Sequence, residues 1–464
     1  MNIKLASNEV IHFIGIGGIG MSGLALVMHN MGFKVQGSDI NKNQNIERLK
    51  KLKIKIFIGH KYENLRNSTL VVISSAIKIT NPELKFAKKR KLPVYKRGDM
   101  LANIVSLKKN IVVTGSHGKT TTTSLISSIL HDSKLDVTVV NGGIINQIKN
   151  SARLGKSEWS VLESDESDGS FLKIPVTYSV VTNIDKEHLD YYKSFDNLKK
   201  SFKKFIEKTP IFGKSFICLD DINNQNLIND IKIKNFHTYG FNKNSNFKIK
   251  IKEQKINYSK FDLKIKIAGK KNKTYENFQI PLLGEHNIKN ATAAIAVSLS
   301  LGVNVDNIKK TLKNFKGVQR RFNKIFSRKR NEFYDDYAHH PTEIKEVLRG
   351  VRAVNKKRKI IVVFQPHRFS RLKLLKEEFS KAFILADEVL LCPVYAAGEK
   401  VDKYFNYFSF GNLIIKNSKT KLIIINNEKD LLKYICNNLF SDELVICMGA
   451  GSISNWIRNI SKKI

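Results

Sequence analysis

The amino-acid sequence predicts an α/β fold with three domains and mostly parallel sheets. Short apolar segments alternate with helical stretches near both ends of the chain, a pattern typical of parallel sheets covered by helices. Two glycine-rich turns each follow an apolar segment and open a helix, which is the local context of phosphate-binding loops. A length of 464 residues allows about two to four domains. We place them at residues 1–105, 106–319 and 320–464.

The first domain is predicted to be Rossmann-like. Its glycine turn, Gly15-Ile16-Gly17-Gly18-Ile19-Gly20, lies between the apolar residues 10–14 and the helical stretch 21–31. Asp39 follows the turn by about 20 residues, where an acid can bind a ribose hydroxyl. The sequence becomes polar over residues 105–110, which places the domain boundary near residue 105. The predicted strands are residues 10–14, 34–37, 55–58, 70–74 and 93–95.

The central domain is predicted to be a P-loop ATPase domain with a mostly parallel sheet. Its glycine turn, residues 114–122, follows the apolar residues 111–113. Lys119 can reach the terminal phosphate oxygens of a nucleotide, and the Thr120 hydroxyl can ligate Mg²⁺. The spacing departs from the strict P-loop pattern, because Val113 occupies the position of its first glycine. Further predicted elements are strands at 159–163 and 178–184, helices at 124–130 and 287–301, and peripheral strands and loops over 220–280.

Two polar runs follow predicted strands of this domain and supply candidate metal ligands. The run Glu163-Ser164-Asp165-Glu166-Ser167-Asp168 begins at a strand end, where a carboxylate beside a P-loop can hold Mg²⁺. A solvated acidic turn is the alternative, but four acids in six residues are unusual in a basic chain, and we select Glu163. His188 lies in the second run, residues 183–190. It could complete a second cation site, although a lone histidine is more often structural and magnesium prefers oxygen.

The third domain is again predicted to be Rossmann-like, and residues 315–322 form a predicted hinge into it. Residues 335–341 and 365–371 follow predicted strands, and loops in that position bind ligands in doubly wound sheets. Arg368 and Arg371 are three residues apart, so they can grip a carboxylate or phosphate from one face of a helix start. The alternative is that the two arginines are ordinary surface residues, as isolated charged side chains more often are. The predicted strands are residues 332–337, 359–364, 388–393, 421–425 and 443–448.

The composition is strongly basic, with 80 Lys and Arg against 41 Asp and Glu and a formal charge of +39. Such a charge can mark nucleic-acid or membrane binding. The lysines are spread along the chain among many Asn and Ile, so we interpret the charge as a compositional bias and expect no nucleic-acid partner. No apolar run approaches the roughly 18 residues of a membrane span, so no membrane insertion is expected. The four cysteines lack disulfide or metal spacing, which favours a cytoplasmic protein.

The ordered set of motifs resembles the Mur ligase family over almost the whole chain. Departures from the family pattern are small: Ser116 where Thr is commoner, Ser164 where Ala is common, and Ala338 where Gly is frequent. The matching segments are residues 12–21, 37–39, 74–77, 97–101, 114–122, the Glu163 and His188 runs, 284–287 with 290, 320–322, 335–341 and 365–371.

The resemblance implies a role for each motif. The UDP part of a sugar nucleotide is implied to bind at Gly15, Gly17, Gly18, Gly20, Ser38, Asp39 and Ser75. ATP is implied to bind at Gly115, Ser116, His117, Gly118, Lys119, Thr120, Thr121, His286, Asn287, Asn290 and Arg321. Magnesium is implied at Thr120, Glu163 and His188, catalysis at Lys119, Glu163 and His188, and C-terminal substrate contacts at Tyr337, His339, Arg368 and Arg371. Some related ligases use a carbamylated lysine near the metals, and the lysine-rich residues 199–204 contain candidates for it.

Within the family, the first-domain glycine motif favours the member that joins L-alanine to UDP-N-acetylmuramate. The resemblance then implies an ATP-dependent ligase that forms an acyl phosphate, releases ADP and phosphate, and acts in peptidoglycan precursor synthesis as a monomer or weak homodimer. Three alternatives stay open at this point. The first is a nicotinamide-dependent dehydrogenase, which leaves the Lys119 loop unexplained, and the second is a basic nucleic-acid-binding ATP switch. The third is a related ligase that adds a different residue or a whole peptide, or that adds glutamate to folate.

Overall fold

Three separate β-sheets organise the chain in the computed structural model, which describes residues 9–269, 271–402, 404–440 and 442–464. The sheets have five, ten and six strands, and most strand pairs are parallel, so the predicted α/β fold class is confirmed. The chain divides into two compact units. The first runs to Val318 except for Lys252–Lys260 and Pro281–Ile288, which join Gln319–Ile464 in the second. The domain boundaries at 105 and 319 stay predictions.

The first sheet has the strand order β3-β2-β1-β4-β5, and all its pairs are parallel. Because β1 lies between β2 and β4, the chain leaves β1 at the point where the strand order reverses, and a ligand crevice opens there. The first glycine turn occupies this position. The strands are β1 Val10–Ile14, β2 Lys34–Asp39, β3 Lys55–Ile58, β4 Leu70–Ile73 and β5 Val94–Lys96. The helices are α1 Ile19–Asn30, α2 Gln44–Lys51, α3 Pro82–Lys89 and α4 Arg97–Ile104.

The central sheet has the order β15-β14-β13-β12-β11-β10-β6-β9-β7-β8. Strand β6 pairs in parallel with β10 on one side and β9 on the other, so three strands end side by side at the second glycine turn. The strands are β6 Lys109–Thr114, β7 Thr138–Ile145, β8 Asn150–Arg153, β9 Trp159–Glu163, β10 Tyr178–Val181, β11 Lys214–Cys218, β12 Phe236–Gly240, β13 Phe247–Lys255, β14 Tyr258–Ile265 and β15 Lys273–Ile280. The helices are α5 Lys119–Asp132, α6 Leu189–Tyr192, α7 Phe195–Glu207, α8 Ile222–Asp230, α9 Glu285–Ser300 and α10 Val305–Lys313.

The third sheet has the order β16-β17-β21-β18-β19-β20. It is parallel except for the β16–β17 hairpin, and its fully buried strand β18, of sequence IIVVF, has helices on both faces. The strands are β16 Asn323–Arg328, β17 Asn331–Asp336, β18 Ile360–Phe364, β19 Glu388–Leu391, β20 Lys421–Ile424 and β21 Leu444–Met448. The helices are α11 Pro341–Val354, α12 Phe369–Leu374, α13 Lys376–Ser380, α14 Tyr407–Ser418, α15 Glu428–Asn438 and α16 Ile453–Ile460.

Most predicted strands fall within a few residues of the observed ones, and three differences have physical reasons. Helix α5 begins at Lys119 rather than residue 124, because burial and the left-handed Gly118 before it outweigh the low helix propensity of four threonines. Strand β10 ends at Val181, since Thr182 and Asn183 turn to bond the glycine loop. Helix α8, capped by Asp221, lies in a region predicted as strands and loops.

Among the described residues, no helix is both long and apolar enough to cross a bilayer.

A buried polar network supports the first glycine turn from below. Fully buried Glu83 accepts a hydrogen bond from Ser38 Oγ at 2.5 Å and from Asn64 Nδ2 at 2.5 Å. His60 Nδ1 lies 3.2 Å and His12 Nε2 3.5 Å from the same carboxylate. The backbone carbonyl of Ser38 in turn accepts the N–H groups of Gly15 and Ile16. Despite the opposing effect of burial, these partners lower the pKa of Glu83 to about 2.

We expect Glu83→Gln to remove a pH-dependent part of the stability. The ordinary pKa of 4.5 falls to about 2 on folding. The ionised form therefore stabilises the fold above about pH 4.5, and this stabilisation, at most about 3 kcal/mol, is lost as the pH falls towards 2. Urea unfolding at several pH values should show the wild type more stable at pH 7, with the difference shrinking below about pH 4.5 and the two proteins converging only as the pH approaches about 2. A constant difference across this range would contradict the assignment.

Candidate functional site

The second glycine loop packs against the segment that follows β10. Ser116 N–H donates to the carbonyl of Asn183 at 3.0 Å, and His117 N–H donates to Asn183 Oδ1 at 2.8 Å. The Thr182 hydroxyl donates to the carbonyl of His117 at 2.6 Å. Gly115 has a φ of +131°, and a Cβ there would lie 2.1 Å from the Thr182 hydroxyl oxygen, so only glycine fits. The loop is thus held in one conformation by its neighbour strand.

The start of α5 offers backbone donors to a ligand. The first intrahelical bond runs from Thr122 N–H to the carbonyl of Gly118, so the N–H groups of Lys119, Thr120 and Thr121 precede the helical ladder. Gly118 enters the helix with a φ of +86°, which turns the chain sharply before these donors. Three N–H groups at a helix N-terminus beside a lysine form a binding site for phosphate.

The Lys119 ammonium is surrounded by four oxygen acceptors. Its Nζ donates to both carboxylate oxygens of Glu166, at 2.8 and 3.1 Å, and to the carbonyls of Gly115 and Ser116 at 2.6 and 3.2 Å. Burial alone would lower the pKa of Lys119, but the carboxylates of Glu166 and Asp165 raise it, so the ammonium stays charged. Burial, with the nearby negative charge of Asp165, raises the pKa of Glu166 to about 7 although Lys119 opposes the shift.

Thr120 and Glu163 form an oxygen pair next to Lys119. The Thr120 hydroxyl donates to Glu163 Oε1 at 3.0 Å, and the other carboxylate oxygen accepts the Gly142 N–H at 2.6 Å. Adjacent ligands of an octahedral Mg²⁺ ion lie about 3 Å apart, so this hydroxyl–carboxylate pair has the spacing and the hard donors that the ion prefers. A Cβ on Gly142 would lie 2.5 Å from Glu163 Oε1, so a larger residue would displace the carboxylate.

His188 lies beside Glu166 and not beside Glu163, the carboxylate selected from the sequence. Its Nε2 is 3.7 Å from Glu166 Oε1, and the ligand atoms of Asp165, Glu166 and His188 lie within 4.8 Å of one another. The backbone of His188 has a φ of +56°, a strained conformation of the kind found at functional sites. The structure therefore groups Thr120 with Glu163, and His188 with Glu166.

The first glycine turn is closed by side chains from the end of β2 and the start of α2. Asp39 Oδ2 accepts the Gly17 N–H at 2.8 Å, and Asn45 Nδ2 donates to the Gly17 carbonyl at 2.8 Å. A Cβ on Gly17 would lie 2.7 Å from Asn43 Nδ2. Asp39 thus braces the turn itself, in addition to lying at the crevice where a ribose would bind.

The other residues predicted to bind the UDP part of a sugar nucleotide differ in their burial and contacts. Ser38 is fully buried and donates to Glu83, so its side chain supports the turn from within the domain. Ser75 is exposed in the loop after β4, at the same edge of the sheet as Gly15. Gly18 caps α1 and Gly20 lies in its first turn, where a Cβ would lie 3.2 Å from Arg97 Cδ.

Helix α9 carries the residues predicted on the adenine side. His286 and Asn287 lie in its first turn, and Asn287 Nδ2 donates to the carbonyl of Leu283 at 2.7 Å. Asn290 lies one turn further on, and a Cβ on Gly118 would be 2.6 Å from Asn290 Oδ1. The structure therefore brings Asn290 to the loop before α5.

In the second compact unit, aromatic and basic side chains gather at the carboxyl ends of β17 and β18. The Arg321 guanidinium lies 5.3 Å from the Tyr337 ring centroid. His339 Nδ1 is 3.1 Å from a Glu343 carboxylate oxygen, and its ring lies 5.5 Å from that of His367. The two predicted arginines adjoin this group: the turn containing Arg368 has a positive φ of 68° at that residue, and Arg371 Nη1 lies 3.3 Å from His367 Nδ1.

Burial, with the positive charges of His339, Arg371 and Arg368, lowers the pKa of His367 to about 3. The imidazole is therefore neutral and can accept a hydrogen bond from Arg371. A neutral acceptor at this position leaves the net positive charge of the arginines available for an anionic ligand.

Sequence reasoning did not select several residues that the structure brings into these sites. Glu166 was within the acidic run, but nothing in its spacing distinguished it from Glu163, Asp165 and Asp168. Asn183 lies in the same polar run as His188. Its position as a small polar residue at the end of a strand is the one feature of the sequence that could have indicated its contact with the glycine loop. The others are Gly142, Glu343, His367 and Tyr395, whose ring stacks on His367 at 5.8 Å.

Three family models match successive parts of the chain. Residues 10–109 match the family model described as Mur ligase family, catalytic domain, and residues 113–298 match the Mur ligase middle domain. Residues 320–451 match the model described as Mur ligase, glutamate ligase domain. A UDP-N-acetylmuramate–L-alanine ligase from Pelagibacter ubique is 60% identical over 100% of both chains. The chain belongs to the Mur ligase family.

Other Mur ligases are similar over nearly the whole chain. A UDP-N-acetylmuramate–L-alanine ligase from Rhizobium etli is 43% identical, covering 98% of this chain and 97% of its own. The crystal structure of the UDP-N-acetylmuramate–alanine ligase MurC from Thermotoga maritima superposes with a TM-score of 0.82 at 29% identity, over 98% of each chain. The resemblance to the Mur ligases drawn from the motifs is therefore confirmed.

We expect Gly118→Ala to weaken ATP binding by about tenfold or more, since a β-carbon strains the left-handed backbone and displaces the loop or Asn290. Gly302→Ala is a matched control, because Gly302 also has a positive φ, +79°, but a Cβ there would meet nothing within 4 Å. Isothermal titration with ATP measures both. Equal affinities for the two variants would contradict a nucleotide role for this loop.

Proposed function

We propose that this chain ligates L-alanine to UDP-N-acetylmuramate, converting ATP to ADP and phosphate, in the synthesis of peptidoglycan precursors. The names of the relatives at 60% and 43% identity support this reaction. The observation that carries it is the pairing of a lysine-containing phosphate loop with strand-end carboxylates in one unit that also holds a second, lysine-free glycine turn. The first site suits ATP, and the second suits the diphosphate of a sugar nucleotide.

The need for ATP follows from the chemistry of the acid. A carboxylate is a poor acyl donor because its leaving group would be oxide. Transfer of the γ-phosphoryl group to the muramyl carboxylate forms a mixed anhydride, and the free amine of L-alanine attacks its carbonyl carbon and expels phosphate. Two anions must approach each other in the first step, so positive charge at the site lowers the barrier.

Lys119 supplies part of that charge. In the structure its ammonium is held by Glu166. To reach the terminal phosphate oxygens it exchanges the carboxylate of Glu166 for phosphate, and this exchange keeps the charge compensated throughout. The N–H groups of Lys119, Thr120 and Thr121 hold the other phosphate oxygens, with the Gly115–Gly118 loop and His117 around them.

We assign Thr120 and Glu163 as ligands of Mg²⁺, and His188 as the candidate ligand of a second cation beside Glu166. The hydroxyl–carboxylate distance of 3.0 Å supports the first assignment. When bound, the ion would neutralise phosphate charge and polarise the γ-phosphorus. His188 is a weaker candidate for magnesium than an oxygen ligand would be.

The remaining residues bind and orient the substrates. His286, Asn287, Asn290 and Arg321 serve ATP, and the first glycine turn with Asp39 and Ser75 serves the UDP part. Ser38 acts through its carbonyl, which holds the N–H groups of Gly15 and Ile16. Tyr337, His339, Arg368 and Arg371 are the proposed substrate-binding residues of the C-terminal domain. The positive charge around neutral His367 supports an anionic partner there, such as the carboxylate of L-alanine.

The setting proposed for the reaction is the cytoplasm. All four cysteines are free, as expected where thiols stay reduced. A monomer or weak homodimer is proposed.

We expect Lys119→Ala to lower the turnover number by at least roughly 10²-fold, the scale of losing one preorganised charge-stabilising group. Lys50→Ala is the matched control, since Lys50 is an exposed lysine that pairs only with Glu47 among the ion pairs of the described residues. ADP release in a coupled assay measures both. Near-normal turnover of Lys119→Ala would refute the role of the loop.

Substrate choice is tested by ADP release with UDP-N-acetylmuramate over the free amino acids. We expect L-alanine to give the highest kcat/KM, with glycine and L-serine lower by roughly 10-fold to 100-fold, since one methyl or hydroxyl group changes binding by about 1–3 kcal/mol. Release that is independent of any amino acid, or that requires glutamate and a folate, would contradict the proposal.

A further inference from the structure

The most exposed apolar side chains of the first unit lie at one edge of the central sheet. Leu107, Ile211 and Phe212 are 80%, 92% and 79% exposed. They lie in loops that precede β6 and β11, at the amino ends of these parallel strands. We call this edge the basal face and define it by six segments that lead into neighbouring strands: residues 105–109, 133–137, 154–158, 173–177, 208–214 and 231–235.

The apolar residues are close enough to act together. Strand β10 separates β6 from β11, and the register aligns Ile111, Tyr178 and Lys214 across the three strands. Two strand spacings, about 10 Å, separate β6 from β11, and Leu107 and the pair Ile211–Phe212 lie in the loops that lead into these two strands. A flat partner could therefore contact all three side chains.

The turn that carries Ile211 and Phe212 is fixed by hydrogen bonds. Gly213 N–H donates to the carbonyl of Pro210 at 2.8 Å. The side-chain amide of Asn235 donates to the carbonyls of Pro210 and Gly213, both at 2.8 Å. These hydrogen bonds hold the backbone of the turn while both side chains are exposed to solvent. Binding a partner would therefore cost little backbone entropy.

The basal face is basic although the lysines are scattered along the sequence. Its six segments contain nine lysines, two acids and no arginine. Both acids are already paired: Asp136 with Arg153, and Glu158 with Lys109 at 2.8 Å. At the opposite edge of the same sheet lie the carboxylates of the phosphate site. These carboxylates are therefore too far away to pair with the lysines of the basal face.

We propose that the basal face binds the surface of an anionic lipid bilayer, with Leu107, Ile211 and Phe212 entering the headgroup layer and the lysines facing lipid phosphates. Aliphatic and aromatic tips within a lysine collar fit this interface. A nucleic-acid surface favours arginine and several stacking aromatics, which the face lacks. A second copy of the chain would meet its own positive charge. The phosphate loop, at the other edge, stays open to solvent while the face is occupied.

The test is sedimentation of the purified full chain with sucrose-loaded vesicles. We expect binding to vesicles of equal parts phosphatidylglycerol and phosphatidylethanolamine, weaker binding as salt rises, and little binding to phosphatidylcholine alone. The variant Leu107→Ser/Ile211→Ser/Phe212→Ser should bind these vesicles at least about tenfold more weakly than the wild type. The variant Lys232→Glu/Lys234→Glu should bind anionic vesicles at least about 25-fold more weakly, since each lysine contributes roughly fivefold to the affinity.

The control variant is Ile384→Ser/Phe408→Ser/Phe440→Ser, which removes side chains that are 60%, 73% and 78% exposed in the C-terminal domain. It should bind vesicles like the wild type, and all variants should keep the wild-type melting temperature and ADP release in solution. Failure of the wild type to bind anionic vesicles at low salt overturns the proposal, as does unchanged binding by the triple basal variant. Tighter binding to single-stranded RNA, or a dimer that the triple variant abolishes, also overturns it.

Discussion

A lysine ammonium buried among carboxylates is the interaction on which the rest of the site depends. Lys119 is 14% exposed at its side chain, and its partner Glu166 is 1% exposed. Neither charge would be stable there alone, since an unpaired buried charge costs several kcal/mol. The pairing therefore keeps the Lys119 ammonium charged and holds it beside the loop before a nucleotide arrives. The same carboxylate contacts His188, so one side chain links the phosphate loop to the second strand-end motif.

The polarity of a parallel sheet explains why these groups meet. All strands of a parallel set end at one edge, so the residues after β6, β9 and β10 are brought together although they lie far apart in the sequence. The amino ends of the same strands collect a different set of residues. Under our proposals, one edge transfers a phosphoryl group and the other contacts a membrane surface, and neither activity obstructs the other.

Much of the fold and part of the site could be predicted from the sequence. Strands and glycine turns are local patterns, so the three sheets and the Lys119 loop were identified from periodicity and spacing. The partner of Lys119 could not be identified, because the choice between Glu163 and Glu166 depends on how β9 leaves the sheet. Ser38 shows the same limit: the family resemblance implies a ligand contact, yet its hydroxyl donates to the buried carboxylate of Glu83. The basal face escaped prediction because the fold, not the sequence, gathers its lysines.

Oxygen transfer tests the central claim most directly. The γ-phosphoryl group of ATP is proposed to reach the muramyl carboxylate before L-alanine attacks. UDP-N-acetylmuramate labelled with ¹⁸O in both carboxylate oxygens should therefore yield inorganic phosphate that carries one ¹⁸O atom, visible as an isotope shift in the ³¹P NMR spectrum. The amide product should retain the other. Unlabelled phosphate released together with the alanyl product would show that the acid was never phosphorylated, and it would contradict the proposed mechanism.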